Sequence, residues 1–451
     1  MRKQLTALLL AMAVALSLLG VSVLAADSPN PDPAAVETET EENQDAAQTE
    51  PDTSEEKTEA GDTDGEDPSG EPEEEAPEEE YVPDPVGYIS FENLERRLRE
   101  NNLTLLALEE NIQSIEVIDY DKMYQTIQQN LNDIARAQWK LILYGMGDTP
   151  EVKALEQSYA ALEDTFESLK EGELQKDNAD LVWQLENAQN QVVMAGESLY
   201  IAIMEMEQNA SSLDRSLAAM DRSLEELELR YELGQISSQT LKQTQASRTS
   251  LLSSKQTLDS NIQNYKMQLE LMSGGELNGT IQLGELPQVT KEQLESMNLE
   301  EDLAAAKAAS YSLYEAQQTL DDAYETYRDN GGQYAESLGD YQYKAAAHTY
   351  EAAKYNYNAT VQNFEIAFRT LYLQVKDFKQ VLDAAQTALA VEQDNYAVSQ
   401  LKYEQGNLSE NALLEAQDKV TEAQEKVDGA ANDLFSAYNN YRWAVEYGIL
   451  N

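Results

Sequence analysis

Much of the bond-making chemistry of proteins draws on cysteine and histidine, and this chain is nearly empty of both. Its 451 residues include no cysteine and one histidine, His348. Disulfides, thiolate nucleophiles and thiolate metal sites are therefore excluded. A single imidazole cannot build a multi-histidine metal site, and a histidine-based triad has one candidate only. His348 stands in the alanine-rich run Lys344-Ala-Ala-Ala-His348, where a plain helix position accounts for it. The usual nucleophile and metal constellations are missing, so no catalytic residue, metal or cofactor is expected. A formal charge of −53 repels nucleic acid and anionic membrane surfaces, which are not expected partners. The chemistry left open is recognition between surfaces.

Recognition has a specific candidate, a short stretch that occurs twice. The first copy reads Leu229-Arg-Tyr-Glu-Leu-Gly-Gln-Ile-Ser237 and continues to Leu241 and Gln245; the second reads Leu401-Lys-Tyr-Glu-Gln-Gly-Asn-Leu-Ser409 and continues to Leu413 and Gln417. Gly234 and Gly406 suit the left-handed conformation that ends a helix. Ser237 and Ser409, three residues later, can accept a bond from the free N–H groups of a following helix. Ile236 and Leu408 then stand one residue before the cap, with Leu241 and Leu413 placed to complete a hydrophobic staple. The pattern predicts helix, tight turn, helix, in two places. Both copies also carry an aromatic, Tyr231 or Tyr403, beside variable polar positions Gln235 and Asn407. An apolar cluster at the exposed end of a long hairpin points to a contact surface.

The elements that hold these turns are long amphipathic helices. Leu199, Ile203, Met206, Ala210, Leu213, Leu217, Met220, Leu224, Leu227 and Tyr231 are spaced alternately four and three, the stripe of a coiled coil. At 1.5 Å per residue the helix leading to the first turn spans about 80 Å. Leu258, Ile262, Tyr265, Leu269 and Met272 carry the stripe back, interrupted at Lys255. In the second half Phe364, Phe368, Leu371, Val375, Phe378, Leu382, Ala385 and Leu389 repeat the pattern. The return helix, Glu410 to Tyr447, is rich in alanines that permit close approach. Before the first stripe, one helix capped by Ser90 is expected through Leu94, Leu98 and Leu103 to Ile118. Further helices are expected over Tyr120–Leu143 and Pro150–Leu169. Asn298 or Glu300 opens a helix through Tyr311 and Tyr314 to Tyr327, followed by a loop from Asn330 to Gly339. Only Gly279-Thr-Ile-Gln-Leu-Gly284 reads as extended. The expected class is all-α, two long antiparallel coiled-coil hairpins arising from an internal duplication.

The N-terminal region differs from this body. Arg2 and Lys3 precede an apolar run, Leu5 to Leu24, that ends in small residues at Val23-Leu24-Ala25. This is the pattern of a secretory signal peptide, and the chain is expected to work outside the cytoplasm; retention of the segment as an anchor is the alternative. From Asp27 to Gly87 acidic residues dominate with Lys57 as the single cation, and no core can form. The domain reading is a signal peptide at 1–25, a disordered acidic linker at 26–87, a first repeat at 88–290 with its tip at 233–238, and a second at 291–451 with its tip at 405–410.

The pattern Tyr-x-x-Gly-x-[Ile/Leu]-Ser, with Leu and Gln following at helical spacing, resembles the TolC family of outer membrane efflux proteins. Tyr403 to Gln417 is the closer copy. Phe91 to Leu103 and Asn298 to Ala309 are similar to that family's paired opening helices. The resemblance implies a homotrimer whose helices enclose a tunnel, working with a periplasmic adaptor protein and an inner-membrane exporter. It places Tyr231, Gly234, Gln235, Ile236 and Ser237, with Tyr403, Gly406, Asn407, Leu408 and Ser409, at the adaptor-facing tips. Glu415 lies where the family has an acidic residue near the tunnel entrance; read by itself it is a solvent-facing helix acid. The family inserts a membrane β-hairpin in each repeat, here around Gly145–Gly172 and Asn330–Gly339. The first stretch is filled with helix formers and the second is too short for two strands of about 9–11 residues. Little or no β-barrel is therefore expected, which suits an envelope lacking an outer membrane. Two functions follow: a duct or spacer in efflux or secretion, or a structural coiled-coil scaffold of the cell envelope.

Overall fold

The computed structural model describes residues 82–334 and 341–450, the side chains of 332–334 excepted. The expected signal peptide and most of the acidic linker lie outside them. The first half runs β1 (Tyr88–Ile89), α1 (Phe91–Asn101), α2 (Leu103–Glu116), α3 (Tyr120–Leu143), α4 (Pro150–Glu171), α5 (Glu173–Glu232), α6 (Ser238–Met272) and β2 (Gln282–Leu283). The second runs α7 (Lys291–Ser296), α8 (Leu299–Ala309), α9 (Tyr311–Tyr334), α10 (Tyr341–Glu404) and α11 (Glu410–Tyr447).

Capping explains where the opening helices begin and break. Ser90 accepts from the Asn93 N–H, and Asn298 from that of Glu300. The continuous helix expected from Ser90 to Ile118 is instead broken at Asn102. That side chain accepts from the N–H groups of Thr104 and Leu105 and donates to the Met272 carbonyl. A buried side chain offering the backbone another partner competes with the helical ladder. Leu103, placed on the core face by the expected helix, is therefore turned out to solvent. The second repeat breaks at the matching place: Ser310, also buried, separates α8 from α9 and accepts from the Leu313 N–H.

The heptad stripes form as read, except that Tyr231, the last residue expected in the first, is exposed. In α5, 60 residues and about 90 Å long, Ile203, Ala210, Leu217 and Leu224 are buried at seven-residue intervals. Met206, Leu213, Met220 and Leu227 are half-buried between them. Packing of α6 on α5 and of α11 on α10 makes the two hairpins. Helix α11 also joins the repeats. Its Phe435 and Trp443 enter a core with Ile89, Leu94, Leu98, Val193, Tyr200, Ile203 and Leu269. Its Leu434, Ala437, Tyr441 and Ala444 enter another with Leu303, Leu313, Phe364, Phe368 and Val375. Each large apolar side chain fully withdrawn from water contributes about 1.5–3 kcal/mol, which makes α11 the main cross-repeat stabiliser.

The expected extended stretch is real but short. Tyr88–Ile89 pairs in parallel with Gln282–Leu283, and the buried Tyr200 hydroxyl lies 2.8 Å from the Gly284 carbonyl and 3.1 Å from that of Ile89. Asp84, at the end of the expected linker, is docked: it accepts from the Ser90 N–H at 2.9 Å and from the Asn93 amide at 2.9 Å. Beside this, the buried Glu270 carboxylate receives four successive backbone N–H groups, from Asn278, Gly279, Thr280 and Ile281, at 2.7–3.1 Å.

These two dipeptides are the only strands among the described residues, so no barrel is built there. Where a β-hairpin could have been inserted, α3 and α4 form a helical hairpin around Ile127, Leu131 and Leu169. Helix α4 runs past the expected end at Leu169 to Glu171, and one residue, Gly172, separates it from α5. Of the loop expected at Asn330–Gly339, residues 330–334 are the end of α9, and 335–340 lie outside the described residues.

Candidate functional site

Both turns close in the same hydrogen-bonded form. At the first, the Gln235 N–H donates to the Arg230 carbonyl at 2.8 Å and the Gly234 N–H to that of Tyr231 at 2.9 Å. At the second, Asn407 donates to Lys402 at 2.8 Å and Gly406 to Tyr403 at 2.8 Å. This nested six-to-one and five-to-two pair is the Schellman motif, which satisfies the last helical carbonyls. It requires a left-handed residue, and Gly234 and Gly406 take φ of 70° and 73°. Ser237 and Ser409 then cap α6 and α11, accepting from Thr240 N–H at 3.2 Å and Ala412 N–H at 3.3 Å. Ile236, Leu408, Leu241 and Leu413 are all half-buried, as members of a staple across each cap should be.

The two turns occupy one level of the structure. Helices α5 and α11 run antiparallel, with Arg215 paired to Glu425 at 3.2 Å and Arg222 paired to Asp418. The same step along each helix leads from Arg215 to Arg222 and from Glu425 back to Asp418. Continued in that register, the helices bring Gly234 level with Gly406. These charge pairs are partly shielded from water, where an ion pair fixes register more than it adds stability.

What the turns present is apolar. Tyr231 and Tyr403 are 44% and 40% exposed, and their tips are not used inside the fold. Leu229, Leu233 and Leu401 stand beside them at 58–63% exposure. These three leucines were not among the residues singled out from sequence. For two of them the signal was present, since Leu229 and Leu401 head the two matching motifs and fall outside the buried heptad phase. Gln235 and Asn407 are exposed and contribute only backbone N–H groups to the turns. Glu415 is exposed on α11, beyond the Ser409 cap, so its position matches a solvent-facing helix acid as well as an entrance residue. His348 lies within α10, as its alanine-rich context suggested.

No family model and no curated protein sequence matches the chain. Among solved structures it is similar to the outer membrane protein VceC of Vibrio cholerae, at 12% identity and a TM-score of 0.44 over 79% of this chain and 96% of that one. It is similar also to CusC, at 15% identity and a TM-score of 0.46 over 79% and 96% of the two chains. The Campylobacter jejuni CmeC outer membrane channel gives 15% identity and a TM-score of 0.41 over 64% and 68%. They are of the class that the two turn motifs resemble.

Proposed function

We propose that the chain is a component of an efflux or secretion duct of the TolC type, acting outside the cytoplasm with an adaptor protein and an inner-membrane exporter. The observation that carries this reading is the shared level of the two Schellman turns, which sets Tyr231, Leu233 and Tyr403 at one end of the paired hairpins. Turn chemistry alone needs only glycine and cap; the exposed aromatics and leucines go beyond it. A helical hairpin of an adaptor is the partner that such a tip fits. Helix α10 supports a homotrimer: Ile366, Leu373, Val381, Val391 and Val398 are 49–64% exposed on a helix already packed through Phe364, Phe368 and Val375. Further copies of the chain would cover that second apolar face.

The test replaces Gln235 and Asn407 with arginine, positions whose side chains the turn does not use. Retained thermal stability with loss of adaptor co-purification and of dye efflux supports the tips as the binding surface. Unchanged association and efflux would remove the reading's main support. A structural scaffold of the envelope is the second reading, favoured by the helical α3–α4 hairpin where a duct of this type would carry strands. Sedimentation of the purified protein separates the two, because a closed trimer can surround a channel while a monomer or dimer cannot.

A further inference from the structure

Helices α9 and α10 meet through a ladder of tyrosines. Tyr327 of α9 and Tyr343 of α10 have ring centroids 5.5 Å apart, inclined at 33°. Their hydroxyls share a hydrogen bond at 3.1 Å, the one bond between two tyrosine hydroxyls among the described residues. Tyr350 stacks on Tyr327 at 5.7 Å and 11°, and Tyr324 lies 5.4 Å from Tyr350. The α3–α4 hairpin of the first repeat buries Ile127, Leu131 and Leu169 instead. Packing such a hairpin therefore does not call for paired phenols.

The pair has the geometry for one-electron chemistry. A phenol is oxidised by losing an electron from its ring together with the hydroxyl proton. The Tyr343 hydroxyl holds the Tyr327 phenol above its usual pKa range, so at neutral pH that proton is still in place. Whichever hydroxyl donates has an acceptor already in line for it. Tyr327 and Tyr343 are half-buried, while Tyr324 is 46% exposed and reaches Tyr327 through the stacked ring of Tyr350. An electron can leave at the surface and the vacancy can move inward along these rings. A phenoxyl radical carries much of its unpaired spin on the two ring carbons beside the oxygen-bearing one. In this pair those carbons border the shared hydrogen bond. A Cβ added at Gly331 would lie 3.5 Å from one of them, Cε2 of Tyr343, so a glycine of α9 lets that ring lie close.

We propose that Tyr327 and Tyr343 form a modification site, joined ring to ring as a dityrosine by hydrogen peroxide acting through a haem peroxidase. Each ring gives up one electron and one proton, and the two phenoxyls couple at carbons beside their oxygens. The ring hydrogens at the new bond then shift to the oxygens and restore both phenols. One carbon–carbon bond forms and two hydrogens leave in all, which the peroxide takes up to become two molecules of water. The product ties α9 to α10 covalently in a chain that has no cysteine for a disulfide. It stands independently of what the turns bind.

The test treats the full-length protein with a haem peroxidase and one equivalent of hydrogen peroxide. The expected result is the blue fluorescence of dityrosine and a tryptic product joining residues 308–328 to residues 329–344. That product should be lighter than the two peptides by two hydrogens, with fragmentation placing the link at Tyr327 and Tyr343. Tyr327→Phe or Tyr343→Phe should abolish it. Phenylalanine keeps the ring that packs, so circular dichroism should be unchanged in both. Tyr341→Phe and Tyr355→Phe, at exposed positions of α10, should leave the yield as it is. Unfolding in urea before oxidation should lose the product, because the pair is then no longer held together. Absence of the linked peptide from the parent, or an equal yield from Tyr327→Phe, overturns the proposal. So does an equal yield from the unfolded chain. A link that runs between two chains, seen as a covalent dimer on a denaturing gel, overturns it as well.

Discussion

The indole N–H of Trp443 donates to a Glu197 carboxylate oxygen at 2.6 Å, joining the last helix of the second repeat to the long helix of the first. The same carboxylate, 3% exposed, accepts from the Asn439 amide at 2.7 Å and the Arg442 guanidinium at 3.1 Å. Three donors converge on one buried charge, and all three come from a single stretch of α11. Neither repeat can satisfy this group alone.

Glu197→Gln is expected to destabilise the protein. The amide retains one acceptor but turns an N–H₂ group toward donors, leaving buried groups unmatched at about 2 kcal/mol or more. Trp443→Phe removes one donor and some volume and should cost about 1–3 kcal/mol. Denaturant melts of both variants and of the pair check this, with the double variant losing less than the sum because the two groups share a contact.

Glu270→Gln should loosen one loop rather than the whole body. A carboxylate can accept all four N–H groups of residues 278–281, whereas an amide oxygen cannot, and unpaired buried N–H groups cost about 1–3 kcal/mol each. Amide exchange at 278–281 is expected to accelerate while exchange in the centre of α5 changes little. Uniform acceleration in both would contradict the local role.

At the turns, Gly234→Ala and Gly406→Ala isolate backbone conformation, since an added Cβ meets no atom within 4 Å at either site. The left-handed conformation should then cost about 1–2 kcal/mol in each. Ser237→Ala and Ser409→Ala remove caps and should cost about 1 kcal/mol each. Thermal melts that show no loss for the glycine variants would mean the turns can close in another form.

Asp433 gives a pH-dependent prediction. Burial raises its carboxyl pKa, and Glu205, itself raised by burial first and by the Asp433 charge second, is its acidic neighbour. A carboxyl raised on folding binds its proton more tightly in the native state. Stability therefore grows as pH falls from the raised native value toward the unfolded value near 3.9. Asp433→Asn should melt higher than the parent at about pH 7, and the gap should close toward about pH 4. A gap independent of pH would place the effect elsewhere.

Local signals made much of this legible in advance. The stripe from Leu199 to Leu227, the boundaries Tyr120–Leu143 and Glu410–Tyr447, and both turns follow from period, cap and glycine placement, which are properties of neighbouring residues. The break at Asn102 was not legible, because the helical pattern runs through it without a glycine or proline. It exists because Asn102 finds the Met272 carbonyl, 170 residues away.

The sequence by itself determined the helices, their two duplicated hairpins and the chemistry of each turn, because heptads, caps and left-handed glycines act over a few residues. Only the tertiary structure decided which faces stay uncovered. Leu233 and Leu143 are leucines like any in the stripe, and nothing local marks them as exposed. The level of Gly234 with Gly406 likewise depends on Arg215 and Arg222 meeting Glu425 and Asp418 across the repeats. The gathering of three α11 donors on Glu197 depends on the same register. Burial and register are fixed by partners distant in the chain, and so appear only once the helices have packed.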